Sequence, residues 1–330
     1  MKDPLVSIAC ITYNHENYIH HTIEGFLKQK TTFSIEILIY DDASEDGAQE
    51  IIKSYAKKDS RIITYLQKEN QWSKGKNGLL EFLFPKSKGK YIALCEGDDY
   101  WIDPYKLQKQ VDFLEANPDY VLVHSDGDFN YTETGNIKKK YIKNRIGNPN
   151  SIEDTFEAIL RSEYPILTCS VMFRNEDIKK LNLNEIAQFK MGDTFIWLEL
   201  SQLGKFYFFE DSMITRNILI ESAAHSKNNA KLLKFKKSGY DLCKYFSEKY
   251  PTSESTKSIM HQKFNRVILY FAFLSNNKSE ALKAWKMLRK VSGKSIFIKD
   301  ILHYLGTRNR LFRLFAHGLL IIIKIGRKVI

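Results

Sequence analysis

Ile35-Glu-Ile-Leu-Ile-Tyr40 runs directly into Asp41-Asp42-Ala-Ser-Glu-Asp46, and Tyr91-Ile-Ala-Leu-Cys95 runs directly into Glu96-Gly97-Asp98-Asp99. Both are short β-rich runs that stop at a group of acids. Outward from them the pattern repeats. Val6 to Thr12 and Arg61 to Leu66 are further runs of the same kind. Between them lie stretches of helical spacing: Glu16 to Lys28, with Ile19, Ile23, Phe26 and Leu27; Glu45 to Lys57, with Ile51, Ile52 and Tyr55; and Tyr105 to Ala116. Strands alternating with helices predict an α/β fold, a doubly wound, mainly parallel sheet flanked by helices. Such sheets bind ligands beyond the carboxyl ends of their strands, which is where the acids fall.

The middle of the chain is less regular. Tyr120 to His124, Thr168 to Arg174 and Phe206 to Phe209 read as strands, residues 130–140 as a polar, turn-rich link, and Thr194 to Leu203 as a helix opening after Gly192-Asp193. From about Lys227 only helical periodicity remains, in Lys231 to Tyr250, Glu254 to Leu274, Ser279 to Val291 and Ser295 to Leu305, with Lys and Arg dense between them. The expected domains are residues 1–226 and an all-helical, basic extension over residues 227–330.

Of the 330 residues, 43% are hydrophobic and 27% charged, as in globular proteins with a sizeable core, and the formal net charge is +11. That charge suits nucleic acid, an anionic membrane surface or a polyanionic substrate, and does not choose among them. Cys10, Cys95, Cys169 and Cys243 are scattered, which argues against a cysteine metal cluster or a disulfide framework and for a reducing, cytoplasmic setting. No signal-peptide pattern opens the chain, and no apolar run is long enough to span a bilayer.

Paired acids at a strand's carboxyl end repel one another. A hard divalent cation such as Mg²⁺ or Mn²⁺ relieves that repulsion, taking one or two carboxylates and completing its shell with substrate phosphates. The competing reading of Asp98-Asp99 is a helix cap. After Val6 to Thr12 come Tyr13, Asn14, His15 and Glu16. There Thr12 and Asn14 can hydrogen-bond a base or ribose and Tyr13 can stack, or Asn14 can simply cap the next helix.

The ordered set Val6-Ser7-Ile8, Thr12-Tyr13-Asn14, Gln29, Glu36 to Asp46 and Gly89 to Asp99 resembles the family-2 inverting glycosyltransferases of the GT-A fold, over roughly residues 4–225. The resemblance implies a Rossmann-like sheet and a nucleotide-sugar donor, with uridine diphosphate the usual carrier. It implies Thr12 and Asp42 on base and ribose, with Asp41 beside them, Asp98 on the ribose and sugar side, and Asp99 on Mn²⁺ or Mg²⁺. It places Lys74 and Lys76 in the donor-pocket loop, although a solvated basic loop reads equally well. Lys190 to Phe195 resembles the family's catalytic-base segment, which makes Asp193 the base that takes the acceptor hydroxyl's proton; the competing reading is an acid complementing a helix dipole. Arg216 to Ser226 resembles the loop that closes over the donor, and puts His225 on diphosphate or metal. His124 and Asp126 are candidates for the acceptor side, which the resemblance implies to be a glycan hydroxyl.

Leu311 to Ile330 is apolar with interspersed cations: Arg313, Lys324, Arg327 and Lys328, with Arg310 just before. It suits an anionic membrane's inner face, which would fit a lipid-linked acceptor, or docks on its own domain or a second subunit. Two other functions fit the sequence less well. A nucleotidyltransferase would carry a Gly-rich phosphate loop after the first strand, and Thr12 to Glu16 is not one. A nucleic-acid binder would gather its basic residues with aromatics around a groove, and here they concentrate in the helical extension.

Overall fold

The computed structural model describes residues 3–183, 185–219, 226, 228–292, 296–309 and 312–314. The expectations for His225 and for most of the tail, including Arg310, Lys324, Arg327 and Lys328, lie outside the described residues. The chain forms two compact units. One comprises Met1–Phe156, Glu163–Gln188 and Gly192–Leu219; the other comprises Glu157–Ser162, Phe189–Met191 and Ile220–Ile330.

In chain order the first elements are β1 (Val6–Thr12), α1 (Ile19–Leu27), β2 (Ile35–Asp41), α2 (Ala48–Ala56), β3 (Ile62–Leu66), β4 (Tyr91–Glu96), β5 (Tyr100–Trp101) and α3 (Lys106–Ala116). They are followed by β6 (Tyr120–Tyr131), β7 (Asn136–Lys138), α4 (Tyr141–Ile146), α5 (Thr155–Leu160), β8 (Met172–Arg174), α6 (Asn175–Lys180), α7 (Gly192–Leu200) and β9 (Lys205–Ile218). The strands form one sheet in the order β3-β2-β1-β4-β8-β6-β9-β5, with β7 paired to β6. β3, β2, β1 and β4 are mutually parallel, while β8 runs antiparallel to both β4 and β6. The parallel expectation therefore holds for the first half, and the second half is mixed. The order 3-2-1-4 reverses direction at β1, and ligands bind at such switch points. Ile8, Ile37, Ile39 and Ala93 from the central strands pack against Ile19, Ile23, Phe26 and Ile52 of α1 and α2, which fixes the carboxyl ends level with one another.

Three sequence readings change here. Thr168–Ser170 is a 3₁₀ turn, and only Met172–Arg174 pairs as a strand. β6 and β9 are far longer than their apolar cores, because each supplies the other's ladder through irregularities at Ser125, Asp126 and Gly127. Gly127 is closely packed there: a Cβ would sit 2.3 Å from Ile214 Cδ1, which would have to shift.

His124 and Asp126 do not line an acceptor pocket. His124 is fully buried, 3.1 Å from the Tyr164 hydroxyl and packed on Phe208. Asp126 is also fully buried, and accepts from the amides of Ile142 and Lys143, so it caps α4, whose own N-cap side chain makes no capping bond. A polar residue beyond a strand's apolar run can serve the neighbouring backbone as readily as a ligand.

The second unit holds α8 (Asn229–Lys249), α9 (Glu254–Leu274), α10 (Lys278–Ser292) and α11 (Ile298–Arg308). Leu233, Ile268, Leu269, Ala272, Ala281, Ala284 and Leu288 form its core. Asn228 caps α8, and Ser253 caps α9 while donating its own amide and hydroxyl to Glu157. Among the described residues no helix is long and apolar enough to cross a membrane.

Burial drives His124 down from its ordinary 6.5 to about 3. Between those values the unfolded chain takes up a proton that the native state refuses, so stability falls as pH drops from about 6.5 towards 3. Urea unfolding across that range should show the wild type losing on the order of 4 kcal/mol that His124→Gln does not lose. Parallel curves for the two proteins would contradict this.

Candidate active site

Register brings the strand ends together. Thr12 pairs with Asp41 and Ile11 with Glu96, so the termini of β1, β2 and β4 are adjacent. The loops that follow are stitched to one another. Asn14 adopts a left-handed conformation, φ 55°, and accepts from the Glu45 amide while its own amide donates to Ser44. Ala43 is also left-handed, φ 63°, an unfavourable state for alanine that the surrounding bonds impose. Asn14 thus ties two loops and does not cap α1. Tyr13, next to it, is exposed.

Asp42 carries three hydrogen bonds: from the Tyr40 hydroxyl at 2.8 Å, the Gln71 amide at 2.8 Å and the Trp72 amide at 3.1 Å. It anchors the loop that bears Lys74 and Lys76. Both lysines are exposed, and Lys74 is paired with Glu69. Asp41 differs from its expected donor-binding role. It is fully buried, and its carboxylate accepts from the Ser44 amide, the Ser44 hydroxyl and Gln49 Nε2. With no exposed surface and all three bonds made within its own loop and α2, it holds the turn that presents Asp42.

The turn after β4 is the charged centre. Thr22 of α1 reaches the carbonyls of Gly97 and Asp99, at 3.0 and 2.7 Å, and fixes the turn from behind. Gly97 leaves no room for a side chain, since a Cβ would lie 2.4 Å from Thr12 Oγ1. Asp98 is partly exposed, with His15 Nε2 at 4.0 Å. Asp99 is 4% exposed and accepts from the Asn217 amide at 2.8 Å. Burial, then Asp98 and Glu96, push Asp99 well above the usual carboxylate range, and burial with Asp98 pushes Glu96 up to about 7.

These residues fit a divalent cation. Ligand atoms of Glu96, Asp99 and Cys169 all lie within 4.8 Å of one another. Two ionised carboxylates at that separation repel by roughly 3 kcal/mol at an effective dielectric constant of about 20. Glu96 Oε2 is buried with no hydrogen-bond partner, and so is Thr12 Oγ1. An oxygen-binding cation answers both the repulsion and the orphaned oxygen. Arg216 is a counter-charge to the cluster; the field of Asp99, Glu96 and Asp98 raises its affinity for its proton against the cost of burial.

Asp193 stands in the first turn of α7. Its Oδ2 accepts from Thr168 Oγ1 at 3.1 Å and its Oδ1 from the Thr194 amide at 2.6 Å. Its charge contributes to the upward shift of Glu96, so the two carboxylates sense each other. Gly192 meets Asn77 at the far end of the Lys74 loop. The structure thus gathers Thr12, Asp42, Asp98, Asp99 and Asp193 and leaves His124 and Asp126 elsewhere.

Sequence reasoning missed Glu96 as a site residue, together with Cys169, Thr168 and Asn217. It also missed their support. Lys106 is fully buried, donates to Gln110 at 2.8 Å and lies over the Trp101 ring at 4.1 Å. Trp101 and Gln110 in turn donate to the carbonyls of Cys169 and Ser170, which holds the turn bearing Thr168 in place. Only the acid at Glu96, one of a run of three, offered a signal.

With this geometry in place, comparison with known proteins is direct. Residues 7–178 match the glycosyl transferase family 2 model, and the chain belongs to that family. It is 40% identical over 112 residues to the UDP-Glc:α-D-GlcNAc-diphosphoundecaprenol β-1,3-glucosyltransferase WfaP of Escherichia coli, covering 34% of this chain and 42% of that one. It is 36% identical over 112 residues to the putative teichuronic acid biosynthesis glycosyltransferase TuaG of Bacillus subtilis, again 34% and 42%. An uncharacterized glycosyltransferase of Methanocaldococcus jannaschii matches at 31% over 191 residues, 56% of this chain and 61% of the relative. The matches span less than two thirds of each of these relatives. In fold the chain is similar to the mannosyltransferase PcManGT of Pyrobaculum calidifontis, solved with GDP-Man and Mn²⁺ (TM-score 0.56, 13% identity, 96% and 84% covered). It is similar also to TarS of S. aureus in complex with UDP (TM-score 0.52, 14% identity, 92% and 89% covered).

The close approach at Gly97 makes a test. Gly97→Ala should lower the unfolding free energy by roughly 1–3 kcal/mol, as overpacking does. Gly192→Ala, whose nearest neighbour is the end of the Asn77 side chain at 3.3 Å, should change it by under about 0.5 kcal/mol. Equal effects in a denaturant melt would show that the turn does not depend on contact with Thr12.

Proposed function

We propose that this protein transfers a sugar from a nucleoside-diphosphate donor, with UDP as the carrier, to a hydroxyl of a lipid-linked glycan acceptor, with inversion at the anomeric carbon, in the synthesis of a cell-surface polysaccharide. The observation that carries the reading is the cluster of Glu96, Asp98 and Asp99 at the switch point of the sheet, with Asp193 across from it. The activity for which WfaP is named, with a UDP-glucose donor and a diphosphoundecaprenol-linked acceptor, supports the donor and acceptor class.

In this reading Asp42 and Thr12 receive the nucleoside, with Tyr13 and Lys76 on the open side. Asp99 and Glu96, with Asp98 beside them, hold Mn²⁺ or Mg²⁺, and Cys169 is close enough to join them. A bound cation of that kind supplies Lewis-acid stabilisation of the charge that grows on the departing diphosphate. Arg216 adds a fixed positive charge to the same region. The acceptor oxygen attacks the anomeric carbon as the bond from that carbon to the diphosphate oxygen breaks. The hydroxyl proton passes to Asp193, which Thr168 and the Thr194 amide keep oriented.

A panel of UDP-sugars with Mn²⁺ and a diphospholipid-linked acceptor tests this. Transfer should give a β-linked product from an α-linked donor. Asp193→Asn should lower kcat by about 10²–10⁴-fold with donor KM little changed. A retained anomer, or full activity in Asp193→Asn, would overturn the assignment of the base.

A further inference from the structure

The last described helix is amphipathic in the wrong sense for a helix facing water. α11 buries Asp300, His303, Gly306 and Thr307 along with Leu302, and turns Ile298, Ile301 and Leu305 outward, Ile298 at 73% exposure. Spacings of three and four residues place these three on one stripe. Two of the inner polar groups are held by hydrogen bonds. Asp300 accepts from the Phe297 amide and from Arg266, and Thr307 donates to the Tyr304 carbonyl.

The apolar surface continues past the helix. Phe297 is exposed just before it, and on α9 Val267 and Tyr270 are exposed, with the Tyr270 ring tilted against His303 at 5.2 Å. Scattered exposed apolar residues are ordinary, but a continuous patch marks an interaction surface. Cations surround it. Arg266 lies 4.2 Å from the Phe297 ring and Lys299 5.5 Å, and Arg308 closes the other end of α11. Charge is segregated along the chain in the same sense. Residues 220–330 hold 23 of the 50 lysines and arginines but six of the 39 acidic residues, which leaves residues 1–219 net acidic. The sequence beyond Leu314 repeats the chemistry, with Leu319 to Ile323 set between Arg313 and Lys324.

We propose that the outer face of α11, with Phe297 and Tyr270, docks on an anionic lipid bilayer. The aliphatic stripe enters the acyl boundary while Lys299, Arg308 and their basic neighbours meet the headgroups. An aliphatic stripe ringed by cations matches a bilayer. A single-stranded nucleic acid would call for aromatic platforms along a groove. Docking is read without any substrate, so its failure and failure of the transferase reading are separable.

The test is co-sedimentation of the full chain with phosphatidylcholine vesicles, with and without phosphatidylglycerol. The wild type should bind the anionic vesicles and bind neutral ones weakly. Ile298→Ser/Ile301→Ser should lower partitioning about tenfold or more at an unchanged melting temperature. If the double variant melts early, Ile298→Ser alone, at the more exposed site, carries the test. Unchanged partitioning in a folded variant would overturn the proposal. So would a wild-type dimer that the substitutions convert to monomer without any vesicle binding, since a second copy would then cover the face. Binding to oligonucleotides but not to anionic vesicles would overturn it as well.

Discussion

The structure is organised around a repulsion. Glu96 and Asp99 lie in a buried turn with Asp98 beside them, at separations where full ionisation opposes folding. Several features elsewhere hold that turn against the repulsion. Thr22 grips its carbonyls, the Asn217 amide donates to Asp99, Gly97 permits contact with Thr12, and Arg216 lends a positive field. A fold that confines like charges in this way gains by binding a cation and loses by leaving the cluster bare. The proposed function uses that turn, held by those features, as the seat of a metal and a diphosphate.

Much of this was legible in the sequence, and the reasons are local. β1, β2 and β4 are short apolar runs ending in polar residues, and the helices between them carry plain helical periodicity, so the parallel half of the sheet and its ligand-binding edge follow from pattern. Asp42, Asp99 and Asp193 follow from residue type at a strand end or helix start together with the family resemblance. The rest depends on contacts between residues distant in the chain. Nothing near Asp126 says that its carboxylate will cap a helix that begins at Tyr141. Asp41 and Asp42 are chemically identical neighbours, and only the pleat sends one into the turn with Ser44 and Gln49 and the other towards Gln71 and Trp72. Lys106 occupies a helix where a lysine is expected to face water, yet it is buried beneath Trp101. The long pairing of β6 with β9 was hidden because β6 passes through Asp126, Gly127 and Asp128, and β9 through Glu210 and Asp211.

The two units show different relations between sequence and exposure. In the first, buried polar residues such as Asp41, Asp99 and Asp126 serve backbone or site, and exposed apolar residues are scattered over several elements. The second differs on α11, where Asp300, His303 and Thr307 are internal while Ile298, Ile301 and Leu305 face out. Such a departure from consistency is where an interaction surface is expected. The basic character that fitted three kinds of partner in the composition resolves, in three dimensions, into a cationic rim around that surface.

Calorimetric titration of UDP into the protein, with Mn²⁺ and then with a chelator, tests the central claim most directly, compared between the wild type and Asp99→Ala. The account expects binding that requires the metal and is lost in the variant, because the strand-end carboxylates hold the cation that holds the diphosphate. Equal UDP affinity with chelator present, or in Asp99→Ala, would show that the acidic turn is not the donor site.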